Sequence, residues 1–198
     1  KTEINFAQNL LRFRDDRLAI IARGEDGSTR EISYAQLAEQ VRRVRAALAA
    51  QGVGVGDRVA GFVPNRPEAV IAMLAAASLG AIWSSCSPDF GINGVLDRFG
   101  QIAPKVLFTA DGYFYGGKRF DCLDKVSGIQ AQLPSVQRVV VFPYAGTDRD
   151  IASVPNAVRW DEFAPETTAL LSFHHGAFDR PQYILYSSGT TGVPKCIV

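Results

Sequence analysis

From Arg58 to Phe142, short apolar runs alternate with stretches of helical spacing. This alternation constrains the fold more than any other property of the chain. Arg58 to Val63, Ala81 to Ser85, Lys105 to Thr109 and Val139 to Phe142 read as strands. Between them, Ala69 to Leu79, Val95 to Ile102 and Phe120 to Leu133 read as helices. Strand–helix–strand order of this kind predicts an α/β fold, a mostly parallel sheet flanked by helices. Its crossovers are expected to be right-handed.

Local chemistry marks where these elements start and stop. Ser33, with Gln36 three residues later, is a capping-box pattern that opens a helix, and Gly52 closes it. Leu37, Val41, Val44 and Leu48 form its buried face, while Glu39, Arg42, Arg43 and Arg45 lie on the solvated side. Asn65 is a possible cap for the next helix, with Pro67 at its first turn, Glu68 three residues past the cap, and Gly80 at its end. Ala69 to Leu79 is apolar on almost every side, so it should be covered all round, partly by sequence outside these 198 residues. Upstream, Asn5 to Leu11 reads as a short helical segment, and Leu18 to Ala22 and Thr29 to Ile32 as a hairpin turning at Asp26-Gly27. Downstream, Pro143 to Arg159 is loop-like, Trp160 to Phe163 a short apolar contact, and Glu166 to Arg180 weakly patterned.

The richest chemistry lies near the end of the chain. Tyr183 to Tyr186 reads as an interior strand, followed by Ser187-Ser188-Gly189-Thr190-Thr191-Gly192-Val193-Pro194-Lys195, then Cys196 to Val198 as the beginning of a partner strand. The glycines allow close approach and positive φ, the hydroxyls and successive N–H groups can donate to anionic oxygens, and Lys195 supplies a mobile positive charge. A polar surface turn would look similar, and the spacing is not that of the ordinary P-loop, because Pro194 precedes the lysine. The ordered string closely resembles the phosphate-loop signature of adenylate-forming enzymes, the superfamily of acyl-CoA synthetases and luciferases. The resemblance implies that Ser187, Ser188, Gly189, Thr190, Thr191, Gly192 and Lys195 hold the β- and γ-phosphates of ATP.

Leu79 to Gly91 is the second informative stretch, a strand running into the Ser87-Pro88-Asp89-Phe90-Gly91 turn, with Trp83 expected in the core. This string, with Asp111 to Arg119, is similar to the acetoacetyl-CoA synthetase branch of that superfamily, and the similarity extends from Asn5 to Val198. It implies the front part of the large N-terminal, AMP-binding domain of a ligase. Such an enzyme makes an acyl-adenylate from ATP and acetoacetate, with Mg2+, and then transfers the acyl group to CoA. By the same resemblance Ser87, Pro88, Asp89 and Phe90 would wall the nucleotide part of CoA, Tyr115 would face its adenine, and Lys118 would meet a CoA phosphate. Read without it, Gly116-Gly117-Lys118-Arg119 is equally a solvated turn. A ligase for acetate or propionate, or a non-catalytic phosphate-binding module, would also fit the residues.

Composition removes other classes. With 21 basic and 20 acidic side chains there is no global field to draw in nucleic acid or an anionic membrane. The three cysteines are widely spaced, which favours reduced thiols and a cytoplasmic setting over a disulfide framework or a zinc site. No apolar run approaches a bilayer span, and His174-His175 point to opposite sides if extended. The resemblance places the catalytic lysine, the magnesium-binding acid and the acyl pocket beyond Val198. The 198 residues alone are therefore expected to hold no complete catalytic set or bound cofactor and to be inactive, and their open strand edges and bare apolar faces are expected to make them self-associate.

Overall fold

Strand residues alternate between two cores, and this division sets the layers of the molecule. Val106, Phe108, Ala110, Val140 and Phe142 point to one core, and Ala60, Phe62, Leu107, Val139 and Val141 to the other. A sheet covered on both faces needs apolar residues at every position, so its strands read as continuous runs. The structure, a computed structural model, describes residues 2–146, 150–187 and 192–198.

In chain order the elements are α1 (Phe6–Leu10), β1 (Leu18–Arg23), β2 (Thr29–Ser33), α2 (Tyr34–Ala50), β3 (Arg58–Phe62), α3 (Pro67–Leu79), β4 (Ile82–Cys86) and α4 (Ile92–Ile102). There follow β5 (Val106–Ala110), β6 (Gly112–Tyr115), β7 (Lys118–Asp121), α5 (Leu123–Gln130), β8 (Arg138–Phe142), β9 (Ala157–Arg159), α6 (Trp160–Phe163), β10 (Leu185–Tyr186) and β11 (Cys196–Ile197). The central sheet is parallel throughout, in the order β4-β3-β5-β8-β9. The pairs β1–β2, β6–β7 and β10–β11 are antiparallel.

The capping box at Ser33 forms, with Gln36 N–H donating to Ser33 Oγ at 3.2 Å and Ser33 N–H to Gln36 Oε1 at 2.9 Å. Gly52 and Gly80 both sit at positive φ, 73° and 74°, where a glycine ends a helix without strain. Both helices close with the same bond, Val53 N–H to Leu48 O and Ala81 N–H to Ala76 O, each 3.0 Å. Helix α3 is buried on nearly every side, and its cover comes from within the chain, from α1, α2 and the sheet. Ala69, Val70 and Met73 alone among its apolar residues stay half-buried. At the N-terminus, Asn5 Nδ2 donates to Ala77 O (2.9 Å) and His174 O (2.8 Å), and Ile4 pairs with Gly176.

Several boundaries differ from expectation. The helix expected over Phe120 to Leu133 begins at Leu123 and ends at Gln130. Phe120 belongs instead to β7, because Gly116 and Gly117, at φ 57° and 73°, turn the chain back onto β6. The stacked rings of Tyr113 and Phe120 (5.1 Å) and the Asp121 carboxylate, which accepts Leu123 N–H at 2.7 Å, then separate hairpin from helix. Helix α4 begins at Ile92, ahead of Val95. Asn65 does not cap α3; Arg66 holds that position with no side-chain bond, and Glu68 pairs with Arg30 instead. Strand β9 was not expected. Tyr183 to Tyr186 is not an interior strand either: Tyr183 forms a single bridge to Trp83, and Leu185 is 62% exposed.

Candidate functional site

In order of appearance the strands of the central sheet run second, first, third, fourth, fifth. The crossover from β3 through α3 covers one face, and those through α4 and α5 cover the other. The loops after β3 and β5 therefore leave in opposite directions and open a crevice at the carboxyl ends of the strands, where open α/β sheets bind ligands. A cleft of about 520 Å³ occupies this place, walled by Arg66, Ser87, Asp89, Tyr113, Tyr115 and Tyr144 among others.

Each wall has a local cause. The Arg66 guanidinium stacks over the Tyr144 ring at 4.3 Å, and its Nη1 is buried without a hydrogen-bond partner among the described residues. Tyr144 is held by Asp111, a buried carboxylate just past β5. Asp111 Oδ1 accepts the N–H groups of Tyr144 and Ala145, each at 2.8 Å, and Oδ2 that of Gly146 at 3.0 Å. Burial first, and then a hydrogen bond to Asp89, push the Tyr113 hydroxyl up to about 12, so it stays protonated at neutral pH. Lys125 from α5 donates to Pro88 O at 3.0 Å, which fixes the turn after β4. Glu25 accepts Gly116 N–H at 3.1 Å and ties the tip of the β6–β7 hairpin to the β1–β2 hairpin.

Of the residues expected around CoA, the structure brings Ser87, Pro88, Asp89 and Tyr115 to this one cleft. Ser87 shapes the corner, donating to Asp89 Oδ2 at 3.0 Å and accepting Asp89 N–H at 3.3 Å. Phe90 does not join them. Its ring lies under the Arg98 guanidinium at 4.3 Å, on the α4 side. Lys118 stands opposite Tyr115 in the hairpin register, exposed and off the cleft wall.

The loop between β10 and β11 is described at Ser187, Gly192 and Lys195, whereas Ser188, Gly189, Thr190 and Thr191 lie outside the described residues. Its neck is closed twice: Ser187 N–H donates to Lys195 O at 3.0 Å, and Lys195 N–H to Ser187 Oγ at 3.2 Å. Gly192 sits at φ 100°, a backbone state that side-chain-bearing residues rarely adopt. The Lys195 side chain is exposed and makes no ion pair with any described residue. Both of these N–H groups are spent on the closure, which leaves the exposed Lys195 ammonium to meet an anion.

Three residues that shape these sites were given no role by the sequence, although Ser84 and Asp111 lie in stretches it singled out. Asp111 holds the Tyr144 loop, Gln101 reaches from α4 to the Pro194 carbonyl at 2.8 Å, and Ser84 contacts the strand that leads into the loop. Each acts across a long stretch of chain. Among the described residues no three His, Cys, Asp or Glu side chains converge to hold a metal ion. His174 N–H donates to Ser78 O, and His175 Nε2 meets Gln8 Oε1 at 2.6 Å.

The model of the AMP-binding enzyme family matches residues 6–198. Over 200 aligned residues the chain is 50% identical to acetoacetyl-coenzyme A synthetase of Rhizobium meliloti, covering all of this chain and 30% of that protein. It is 43% identical over 209 residues to malonamoyl-CoA synthetase of Penicillium aethiopicum, covering 98% of this chain and 29% of that one. The solved acetoacetyl-CoA synthetase from Streptomyces lividans superposes with a TM-score of 0.91 at 41% identity, over 98% of this chain and 30% of that chain. The chain thus spans about 30% of the length of the relatives it matches.

Proposed function

The chain belongs to the AMP-binding enzyme family, and from that premise we propose that it is the front part of the large N-terminal domain of an acetoacetate–CoA ligase. The observation that carries this reading is likeness along the whole chain to acetoacetyl-CoA synthetases, in sequence and in fold. In the proposed reaction the acetoacetate carboxylate attacks the α-phosphate of ATP, releasing diphosphate and leaving acetoacetyl-adenylate. The CoA thiol then attacks the activated carbonyl and displaces AMP. A carboxylate oxygen is a poor leaving group, and adenylation turns it into a good one.

The loop from Ser187 to Lys195 would hold the β- and γ-phosphates, with neutral donors and one cation at the leaving diphosphate. The switch-point cleft would receive the nucleotide of CoA, with Ser87, Pro88 and Asp89 as wall, Tyr115 beside the adenine and Arg66 offering an unused donor. In this reading Mg2+ neutralises phosphate charge when bound, and the described residues supply no ligand set for it. The three cysteines are unpaired, which suits a reducing, cytoplasmic setting.

The likeness to a malonamoyl-CoA synthetase favours a second reading, a ligase for another short acid with a carbonyl at C3. Malonamate differs from acetoacetate by an amino group in place of a methyl. A panel of acetoacetate, malonamate, acetate and propionate, assayed on the full-length enzyme with ATP and CoA, separates the readings. We expect kcat/KM to be highest for acetoacetate, and Lys195→Ala to slow adenylation about 10- to 100-fold more than thioester formation. A preference for malonamate supports the second reading. A preference for acetate, or equal slowing of both half-reactions, overturns the respective assignment.

A further inference from the structure

We infer that Ser84, a buried residue in the middle of β4, is the positioning residue that turns the chain out of the sheet and into the loop after β10. The inference rests on the reading of that loop as the ATP phosphate site. Strand β4 is the edge of the central sheet, and the segment after Gln182 starts to add to it in parallel. Trp83 N–H donates to Gln182 O at 3.0 Å, and Ile184 N–H to Trp83 O at 2.9 Å. The next rung would bring the Ile184 carbonyl to a backbone N–H of β4. The Ser84 hydroxyl takes that carbonyl instead, at 2.8 Å, and also lies 2.9 Å from the Tyr186 hydroxyl.

Hydrogen-bond chemistry allows one arrangement of these groups. A carbonyl only accepts, so the single Ser84 proton goes to Ile184 O, and Tyr186 must donate its proton to Ser84 Oγ. One small side chain thereby fixes the backbone at 184 and the ring at 186, on either side of exposed Leu185. The Arg98 guanidinium, 5.7 Å from the Tyr186 ring centre, faces the same ring. Ser187, which closes the neck of the loop on Lys195, follows at once. Alanine would supply neither the donor nor the acceptor, whereas threonine supplies both.

The test uses the full-length enzyme and follows adenylation by diphosphate release, separately from thioester formation on supplied acyl-adenylate. Ser84→Ala should raise KM for ATP about tenfold and leave thioester formation within about twofold. Ser84→Thr should restore most of the loss. Tyr186→Phe should shift KM in the same direction by less, and the double variant should be no worse than Ser84→Ala alone. Amide exchange at Ile184 to Ser187 should quicken about tenfold in Ser84→Ala. An unchanged KM for ATP, or equal slowing of both steps with no rescue by threonine, overturns the role of Ser84 while leaving the site reading intact. A wild-type enzyme that releases no diphosphate with any acid of the panel overturns both.

Discussion

Glu39 shares one carboxylate between two guanidinium groups, and the sequence showed only half of what that does. Arg42 donates to it at 2.7 Å from both Nε and Nη2, and Arg43 Nε at 2.8 Å. These residues do lie opposite the buried face of α2, but they are half-buried rather than solvated, and Arg45 Nε is buried. Their long-range partners could not be read: Arg43 reaches Glu166 at 3.1 Å, and Arg42 donates to the carbonyls of Thr167 and Ala169, so the helix holds down a segment with no pattern of its own. The hydrogen bond from Arg42, more than any other cause, holds the Glu39 carboxyl down to about 2, against an ordinary 4.5. A carboxyl whose folded value is depressed stabilises the fold above 4.5 and loses that contribution as pH falls from 4.5 towards 2. The side chain is 40% exposed, so solvent screening limits the effect to about 1 kcal/mol or less. Glu39→Gln should therefore cost up to about 1 kcal/mol in urea melts at pH 7, and the difference from wild type should vanish near pH 2.

Elements closed by local chemistry were legible, and elements closed by distant partners were not. The capping box of α2, the glycine ends of α2 and α3, and the central strands all carry their signals within a few residues. The sheet order carries none, because crossover directions depend on which helix faces meet. The β6–β7 hairpin was missed because Phe120 lies in step with the apolar face of α5, and its pairing and stacking with Tyr113 show its true place. Asp111 sits at the root of that hairpin, and its three backbone donors tie the loop after β8 to the end of β5. Asp111→Ala would leave three N–H groups without their acceptor and should cost about 1–3 kcal/mol in denaturant melts. Asn keeps one acceptor oxygen and should lose less. If Asp111→Ala melts like wild type, the clamp contributes nothing.

At the scale of the molecule, the large side chains left most open gather towards the end of the chain. Leu170 and Phe178 are 84% and 83% exposed, and Leu185, Val193, Ile197 and Val198 are also open to solvent. Open apolar surface beside a short strand pair favours association. The 198 residues studied alone should grow in apparent mass with concentration in light scattering, while a constant monomer mass would refute the expectation. The strap at the N-terminus has a different consequence, for the order in which the fold is completed. Asn5 and Ile4 find their partners at His174 and Gly176, whereas the parallel strands β4, β3, β5 and β8 pair with one another within residues 58–142. Residues 4 and 5 must therefore wait for residues 174 to 176 before they can dock. The strap therefore closes only after the strands it lies beside have already paired.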